Sequence, residues 1–533
     1  MLSCKSPKEH VDLIVYNAII YTVDESFSVQ QAFAVKDGKF LAVGSDNAIL
    51  ANYTSDNLID AEQKPIYPGF YDAHCHFYGY GTNLIKRADL VGTKSFEEVI
   101  LRLKEHYKKY PSDWLEGRGW DQNDWEVKDF PTKNLLDDAF PDIPVFLIRI
   151  DGHAAIANSK ALEKANITAT TVVQGGKILV ENGKPTGVLI DSAAELVENS
   201  IPKPDEEFIR KALKLAEENC FAVGLTSVSD AGLDKNIVEL IDQMHQVGEL
   251  NMRVYAMLSP TDENMEHFVR NGLYITDRLS VRSIKLYADG ALGSRGAKMI
   301  EPYTDDPENT GLMMFDQEYY DYYCRLAYDN NYQINLHAIG DGGNRFCLET
   351  FSKYLKGKND RRWRIEHAQV VHPDDFKLFG EYNIIPSVQP THATSDMYWA
   401  EDRVGADRIK GAYAFKQLLD ENGWIPLGTD FPIESINPLF TFYAAVARKD
   451  LDGWPEEGYQ MENALSREEA LRGITIWAAK ASFEENAKGS IEFGKVADFV
   501  ILNDDIMNIE ESFIPKINVL ITVLGGEIVY SVL

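Results

Sequence analysis

His74 and His76 stand one residue apart in Pro68-Gly69-Phe70-Tyr71-Asp72-Ala73-His74-Cys75-His76, at the end of an apolar run that includes Ile66, Tyr67 and Phe70. On a β-strand, residues i and i+2 project to the same face. This spacing presents two imidazoles to one side and Cys75 to the other. Imidazole is the commonest side-chain metal ligand, so the pair is part of a candidate divalent-ion site. Taken alone, two such histidines are equally compatible with surface or core positions. Four later segments repeat the device: 282–290 with Lys285, 333–341 with His337, 363–369 with His367, and 425–432 with Asp430. Each places an ionisable residue near the C-terminal end of a short apolar run.

The spacing says which elements hold these residues. His337 and His367 are 30 residues apart, and His367 and Asp430 are 63 apart. A (β/α)₈ barrel uses roughly 30 residues per unit, and its catalytic residues sit at the C-terminal ends of its strands. Eight strands are predicted: Ile66–His76, Leu225–Ser229, Met252–Leu258, Ser283–Tyr287, Gln333–His337, Arg364–His367, Ile384–Val388 and Ile425–Leu427. The segments between them, such as Glu206–Ala222 and Ser435–Lys449, have apolar residues at helical spacing. Alternating strands and helices imply an α/β fold with a parallel sheet closed into a TIM barrel.

The chain also resembles the amidohydrolase superfamily, in the branch that contains the N-substituted formamide deformylases. The resemblance runs over nearly the whole chain. Its motifs here include PGFYDAHCH (68–76), GRGWDQNDW (117–125), IRIDGHAAIANSKAL (148–162), IKLYADGALGSR (284–295), NLHAIGDGG (335–343), RIEHAQ (364–369), SVQPTHATSD (387–396), GTDFP (428–432) and FGKVADFVIL (493–502). Two positions depart from it: Ser229 stands where relatives often carry histidine, and Thr429 where they often carry serine.

The resemblance implies a metal-dependent hydrolase of carbon–nitrogen bonds other than peptide bonds, of N-formyl or N-acyl amide type. His74, His76 and Asp430 can hold one divalent ion, and His337 and His367 a second. This nitrogen and oxygen set suits zinc, and also manganese or iron. One or two ions per chain are expected. Family members carry a carboxylated lysine at the position of Lys285, whose carbamate would bridge two ions; the alternative is an ion pair with Asp289 or Asp430. Bound to a divalent ion, water loses a proton far more easily, its pKa falling from ~15.7 towards ~7. Asp430 is then the general base and acid, although Gly-Thr-Asp-Phe-Pro is also a fair turn sequence. His153, His392 and Trp120 are the candidate substrate contacts. Glu366 is expected to face away from His367 by strand alternation, and Trp125 lines the pocket or packs in a core. His10, His106, His245, His267 and His372 carry no pattern and are expected at the surface. The same barrel also hosts ring deaminases, lactonases and phosphoesterases, and a non-catalytic metal-binding protein is the reading outside enzymes.

The rest of the chain sets the organisation. Residues 1–65 and 485–533 read as short strands around turns, with a hairpin signal at Asp37-Gly38. The resemblance implies that they pair into one small composite β-sandwich. The barrel then takes 66–84 and 216–484. From His76 to Lys285 is 209 residues, where three barrel units need roughly 90. The surplus is placed at 85–215, an insertion expected to act as a lid or substrate-recognition domain.

Composition limits the partners. The formal net charge of -30 argues against nucleic acid and anionic membranes, and leaves a small-molecule substrate. No apolar run is long enough for a transmembrane helix. Five cysteines, an odd number with no Cys-x-x-Cys pair, suit reduced thiols, and Cys75 reads as a core thiol. A cytoplasmic location is expected. Met1-Leu2-Ser3-Cys4 also resembles the end of a lipoprotein signal, which would instead anchor Cys4 at a bacterial envelope. A homo-oligomer is compatible with all of this.

Overall fold

Seven parallel strands carry the site. They are β1 Phe70–Cys75, β2 Leu225–Leu233, β3 Arg253–Leu258, β4 Leu279–Tyr287, β5 Gln333–Ala338, β6 Arg364–His367 and β7 Ile385–Ser387, paired in chain order. The computed structural model describes residues 8–150, 152, 154–173 and 176–533. Cys4 and His153 lie outside the described residues. Every neighbouring pair in the series is parallel. Helices cover the outside: Lys235–Gln246 buries Ile237, Val238, Leu240, Ile241 and Met244, one stripe at helical spacing. Strands covered on both faces need no polar side, and β3 is buried along its whole length.

The expected eighth strand at Ile425–Leu427 is reduced to a single parallel bridge between Leu427 and Val388. It still closes the barrel. Val388 N–H donates to the Pro426 carbonyl at 3.2 Å, and Ala73 N–H donates to the Leu427 carbonyl at 3.2 Å. Pro426 has no N–H for a longer ladder. Gly428 comes so close to β1 that a Cβ there would lie 2.6 Å from the His74 nitrogen.

The expected first strand, Ile66–His76, is two strands. Pro65–Pro68 pairs with Phe499–Leu502 and Ile19–Tyr21 in a sheet of terminal strands, and β1 begins only after Gly69. The set of terminal strands therefore runs to Pro68. It consists of a four-stranded sheet from residues 13–60 and a six-stranded sheet that combines residues 19–68 with 499–531. Phe33, Phe40 and Phe499 meet in the core between them, within 4.9–6.4 Å of one another. Asp37 and Gly38 have φ of 51° and 70° and join two antiparallel strands, as a type I′ hairpin turn requires.

Residues Tyr78–Leu215 form a second compact unit, against the expected 85–215. The helix Phe77–Lys86 groups with it. Its six-stranded sheet buries side chains on both faces, with Leu147 on one and Phe146 on the other. Trp120 is fully buried in the first of these cores, and its Nε1–H donates to the Leu147 carbonyl at 3.0 Å. The expected substrate contact at Trp120 is therefore corrected: the indole has no exposed surface and its one donor is used. Trp125 packs beside it and donates to the Thr93 carbonyl. Among the described residues, no helix is long and apolar enough to cross a membrane.

Candidate metal centre

His74, His76, Lys285, His337, His367 and Asp430 line one cavity at the C-terminal ends of the strands. His74 is the next-to-last residue of β1, and His76 directly follows the strand. Their Nε2 atoms lie 3.7 and 3.3 Å from Asp430 Oδ1. Cys75 faces the other way and donates to the Ser229 carbonyl. Lys285, on β4, is buried with Nζ 3.1 Å from His74 Nε2. The ring centroids of His337 and His367 are 4.5 Å apart, and those of His74 and His367 are 5.0 Å apart. The ligand atoms of His74, His76 and Asp430 fall within 4.8 Å of one another, as do those of His367, His392 and Asp430.

The backbone is bent to aim two of these side chains. His367 and Asp430 have φ of 76° and 62°, in the left-handed region that non-glycine residues seldom adopt. Such conformations cost energy and concentrate at functional sites. At β6 the bend also overturns the alternation argument. Arg364 and Glu366 both face the barrel interior, and His367, leaving strand geometry, turns back over the same space. Glu366 therefore does not point away: its Oε2 lies 2.6 Å from His74 Nδ1.

Three imidazoles have one nitrogen pinned by an oxygen that can only accept. His74 Nδ1–H donates to Glu366, His76 Nδ1–H to the Ala231 carbonyl at 3.0 Å, and His367 Nδ1–H to Gln389 Oε1 at 2.7 Å. The Gln389 amide is oriented by its own Nε2 donating to the Ser387 carbonyl. In each ring Nε2 is left as a lone pair. This is the outer-shell pattern of metal-ligating histidine. Among the buried side-chain atoms of the described residues that have no hydrogen-bond partner, His337 Nε2 and Asp430 Oδ1 lie in this cluster. Unpartnered buried polar atoms are costly, and a divalent cation would satisfy both. The donor set thus fits a nitrogen and oxygen metal site.

Electrostatics agree with that fit. Burial pushes the His74 and His367 imidazoles down, and takes His337 to about 3, so all three stay neutral as ligands must be. Burial lowers the Lys285 amine to about 8. Among the described residues no carboxylate forms an ion pair with it. Asp289 is occupied instead by the backbone N–H groups of Lys298, Ile339 and Gly340. Burial alone would raise Asp430, but the hydrogen bond from the charged His392, with the neighbouring imidazoles, holds it well below the usual carboxylate range.

His392 reaches the site from the helix Pro390–Asp396. Nε2–H donates to Asp430 Oδ2 and Nδ1–H to Glu434 Oε1, each at 3.2 Å. Burial disfavours its charge, yet the two carboxylates outweigh burial and raise it to about 10.

Asp72, Gln389 and Glu366 are site residues that the motifs did not single out. Asp72 accepts from His74 N and from Thr429 N and Oγ1, tying the two ends of the barrel seam together. Its position two residues before His74 was the available signal, because alternation puts both on one face. Thr429 supplies the hydroxyl for this link, and Ser229 Oγ packs against Ser482 Oγ below the site. Two histidines expected at the surface are partly buried: His106 donates to the Ile85 carbonyl and His245 to the Met252 carbonyl.

Comparison with known proteins agrees with this geometry. The amidohydrolase family model matches residues 57–530. YtcJ of Bacillus subtilis (strain 168) is 32% identical over 530 residues, covering 97% of this chain and 99% of that protein. The N-substituted formamide deformylase of Arthrobacter pascens is 26% identical, covering 98% of each. A crystal structure of an uncharacterized metal-dependent hydrolase from Pyrococcus horikoshii OT3 superposes with a TM-score of 0.80 at 28% identity, over 94% of this chain and 99% of that one. The chain belongs to the amidohydrolase family of metal-dependent hydrolases.

Proposed function

We propose that the protein hydrolyses an N-formyl or N-acyl amide at a carbon–nitrogen bond that is not a peptide bond, releasing a carboxylate and an amine. The observation that carries this reading is the convergence of neutral imidazole Nε2 lone pairs on an ionised, partly unpartnered Asp430 at the mouth of a barrel. The similarity to an N-substituted formamide deformylase over nearly the full chain supports the amide class.

His74, His76, His337, His367 and Asp430 would hold one or two divalent ions, zinc by preference, with Lys285 as a bridging carbamate. Such an ion supplies an acidified water and polarises the substrate carbonyl. The chain's own residues do the rest. Asp430, ionised at neutral pH, takes a proton from the attacking water as the oxygen–carbon bond forms. It returns that proton to the leaving nitrogen as the carbon–nitrogen bond breaks. His392, held charged by Asp430 and Glu434, is the substrate contact, its positive charge facing the carbonyl oxygen as negative charge gathers there. Glu366, Gln389 and the Ala231 carbonyl hold the imidazoles in one tautomer throughout.

A product screen on metal-loaded protein tests the reading. Formate or another carboxylate together with free amine supports it. Ammonia alone would indicate a ring deaminase, and an alcohol a lactonase or esterase. No turnover on any hydrolysable class, at full metal occupancy, would leave a metal-binding protein.

A further inference from the structure

Beyond the metal ligands, the cavity of about 410 Å³ is walled by Tyr287, Leu292, Gly293, Ile339, Trp399 and Ile433. None of these carries a charge. Ile433 is 68% exposed, a large apolar side chain at a cavity wall where solvation would favour a polar one. The charged groups that share the cavity are engaged elsewhere. Asp396 Oδ2 accepts from Tyr413 Oη at 2.8 Å and from Gln369 Nε2 at 3.3 Å, His392 has both N–H groups on Asp430 and Glu434, and Lys285 lies against His74.

Trp399 is built into this wall. A Cβ on Gly293 would lie 3.2 Å from Trp399 Cη2, so the indole edge rests on a position with no side chain. The Arg403 guanidinium lies 5.6 Å from the indole centroid, and Arg403 Nε–H donates to the Gly293 carbonyl at 3.3 Å. Arg403 and Arg295 both pair with Asp305, which fixes the guanidinium. Glycine, arginine and carboxylate thus hold the ring in one pose. A rigid aromatic at a pocket wall gives contact area at little entropic cost.

We propose that Trp399 is the specificity-determining residue of the site, and that the group it receives is an uncharged apolar substituent of the amide, aryl or branched alkyl. This rests on the proposed amide hydrolysis. An apolar group gains by leaving water for this wall, whereas an ammonium or carboxylate would lose its hydration against uncharged side chains, with Asp396 and His392 already engaged by other partners.

The test compares N-methylformamide, N-phenethylformamide and N-(2-aminoethyl)formamide on the metal-loaded full chain. In the wild type, kcat/KM for the phenethyl compound is expected to exceed the other two by about tenfold or more. Trp399→Ala should collapse that ratio towards one, mainly through KM. Gly293→Ala is the second variant, and crowding of the indole should lower the phenethyl compound more than the methyl one. A preference for the cationic compound, or a ratio that survives in Trp399→Ala, overturns the inference. If the wild type turns over no formamide, the hydrolytic reading fails instead, and calorimetric binding of N-phenethylformamide decides the wall. Weaker binding to Trp399→Ala than to wild type supports it, and equal or undetectable binding to both overturns it.

Discussion

Glu366 and His74, 292 residues apart in sequence, are joined by a 2.6 Å hydrogen bond between two fully buried side chains. Burial pushes the Glu366 carboxyl up, but His74, Arg364 and Lys285 outweigh it and hold the group at about 2. Asn335 Nδ2–H donates to the other oxygen at 3.0 Å. The carboxylate therefore fixes the His74 tautomer and raises the ring's basicity. Glu366→Gln should cost about 10- to 100-fold in metal affinity. Competition against a chromophoric chelator measures it, and an unchanged affinity would show that His74 is held by other means.

Asp430→Asn should keep the fold and lower kcat by about 10²- to 10⁴-fold, the usual worth of a positioned acid–base group. Turnover must be compared at equal metal content, because Asp430 is also a proposed ligand. A variant with normal kcat would remove Asp430 from proton transfer.

Lys285→Ala should lose at least one of the two ions that a bridged centre would hold. The amine that burial brings to about 8 is in part neutral at pH 7, the form that adds carbon dioxide. Elemental analysis after purification without chelator reads the outcome. Two ions per chain in the variant would exclude the bridge.

His245 offers a pH test away from the metal. Burial pushes its pKa below the ordinary 6.5, Nε2–H donates to the Met252 carbonyl, and Nδ1 has no partner. The folded state resists a proton that the unfolded chain accepts. Stability attributable to this group is therefore intact above about pH 6.5 and falls as the pH drops below it, by up to about 1.4 kcal/mol per pH unit. His245→Gln retains a donor and removes the titration. Urea unfolding between pH 7.5 and 5 should show a shallower acid limb in the variant, and identical limbs would refute the assignment.

Gly428→Ala places a methyl group 2.6 Å from the His74 nitrogen and 2.9 Å from its oxygen, both backbone atoms. Backbone cannot swing aside, so the barrel seam must open. A loss of about 1–3 kcal/mol is expected, as for other overpacked sites. Asp430 lies two residues on, so metal affinity should fall with it. Thermal unfolding and metal content unchanged from wild type would show that the seam yields without cost.

Much of the centre was legible because strands repeat every two residues and barrels place chemistry at strand ends. His74, His76, Lys285, His337, His367 and Asp430 each close a short apolar run, and the structure brings them to one cavity. Glu366 was misread because alternation assumes regular strand geometry, and His367 leaves it with a positive φ. Trp120 was misread because a tryptophan in a glycine-rich motif looks the same whether it lines a pocket or fills a core. The acceptor of its indole N–H, the Leu147 carbonyl, comes from a different strand of the insertion's sheet. The single first strand became two because Pro65–Pro68 pairs with residues more than 430 positions away.

By itself the sequence determined the donor types, their order along the chain and the α/β alternation that gathers them at one end of a barrel. Those follow from local periodicity, which any short window carries. Only the tertiary structure decided which imidazole nitrogen faces inward, which carboxylate is consumed by backbone N–H groups, and which aromatic is wall rather than core. Each of those depends on an acceptor, a cation or a packing partner from a distant strand. Burial then sets the energies, by making every unmatched charge or lone pair in the barrel costly.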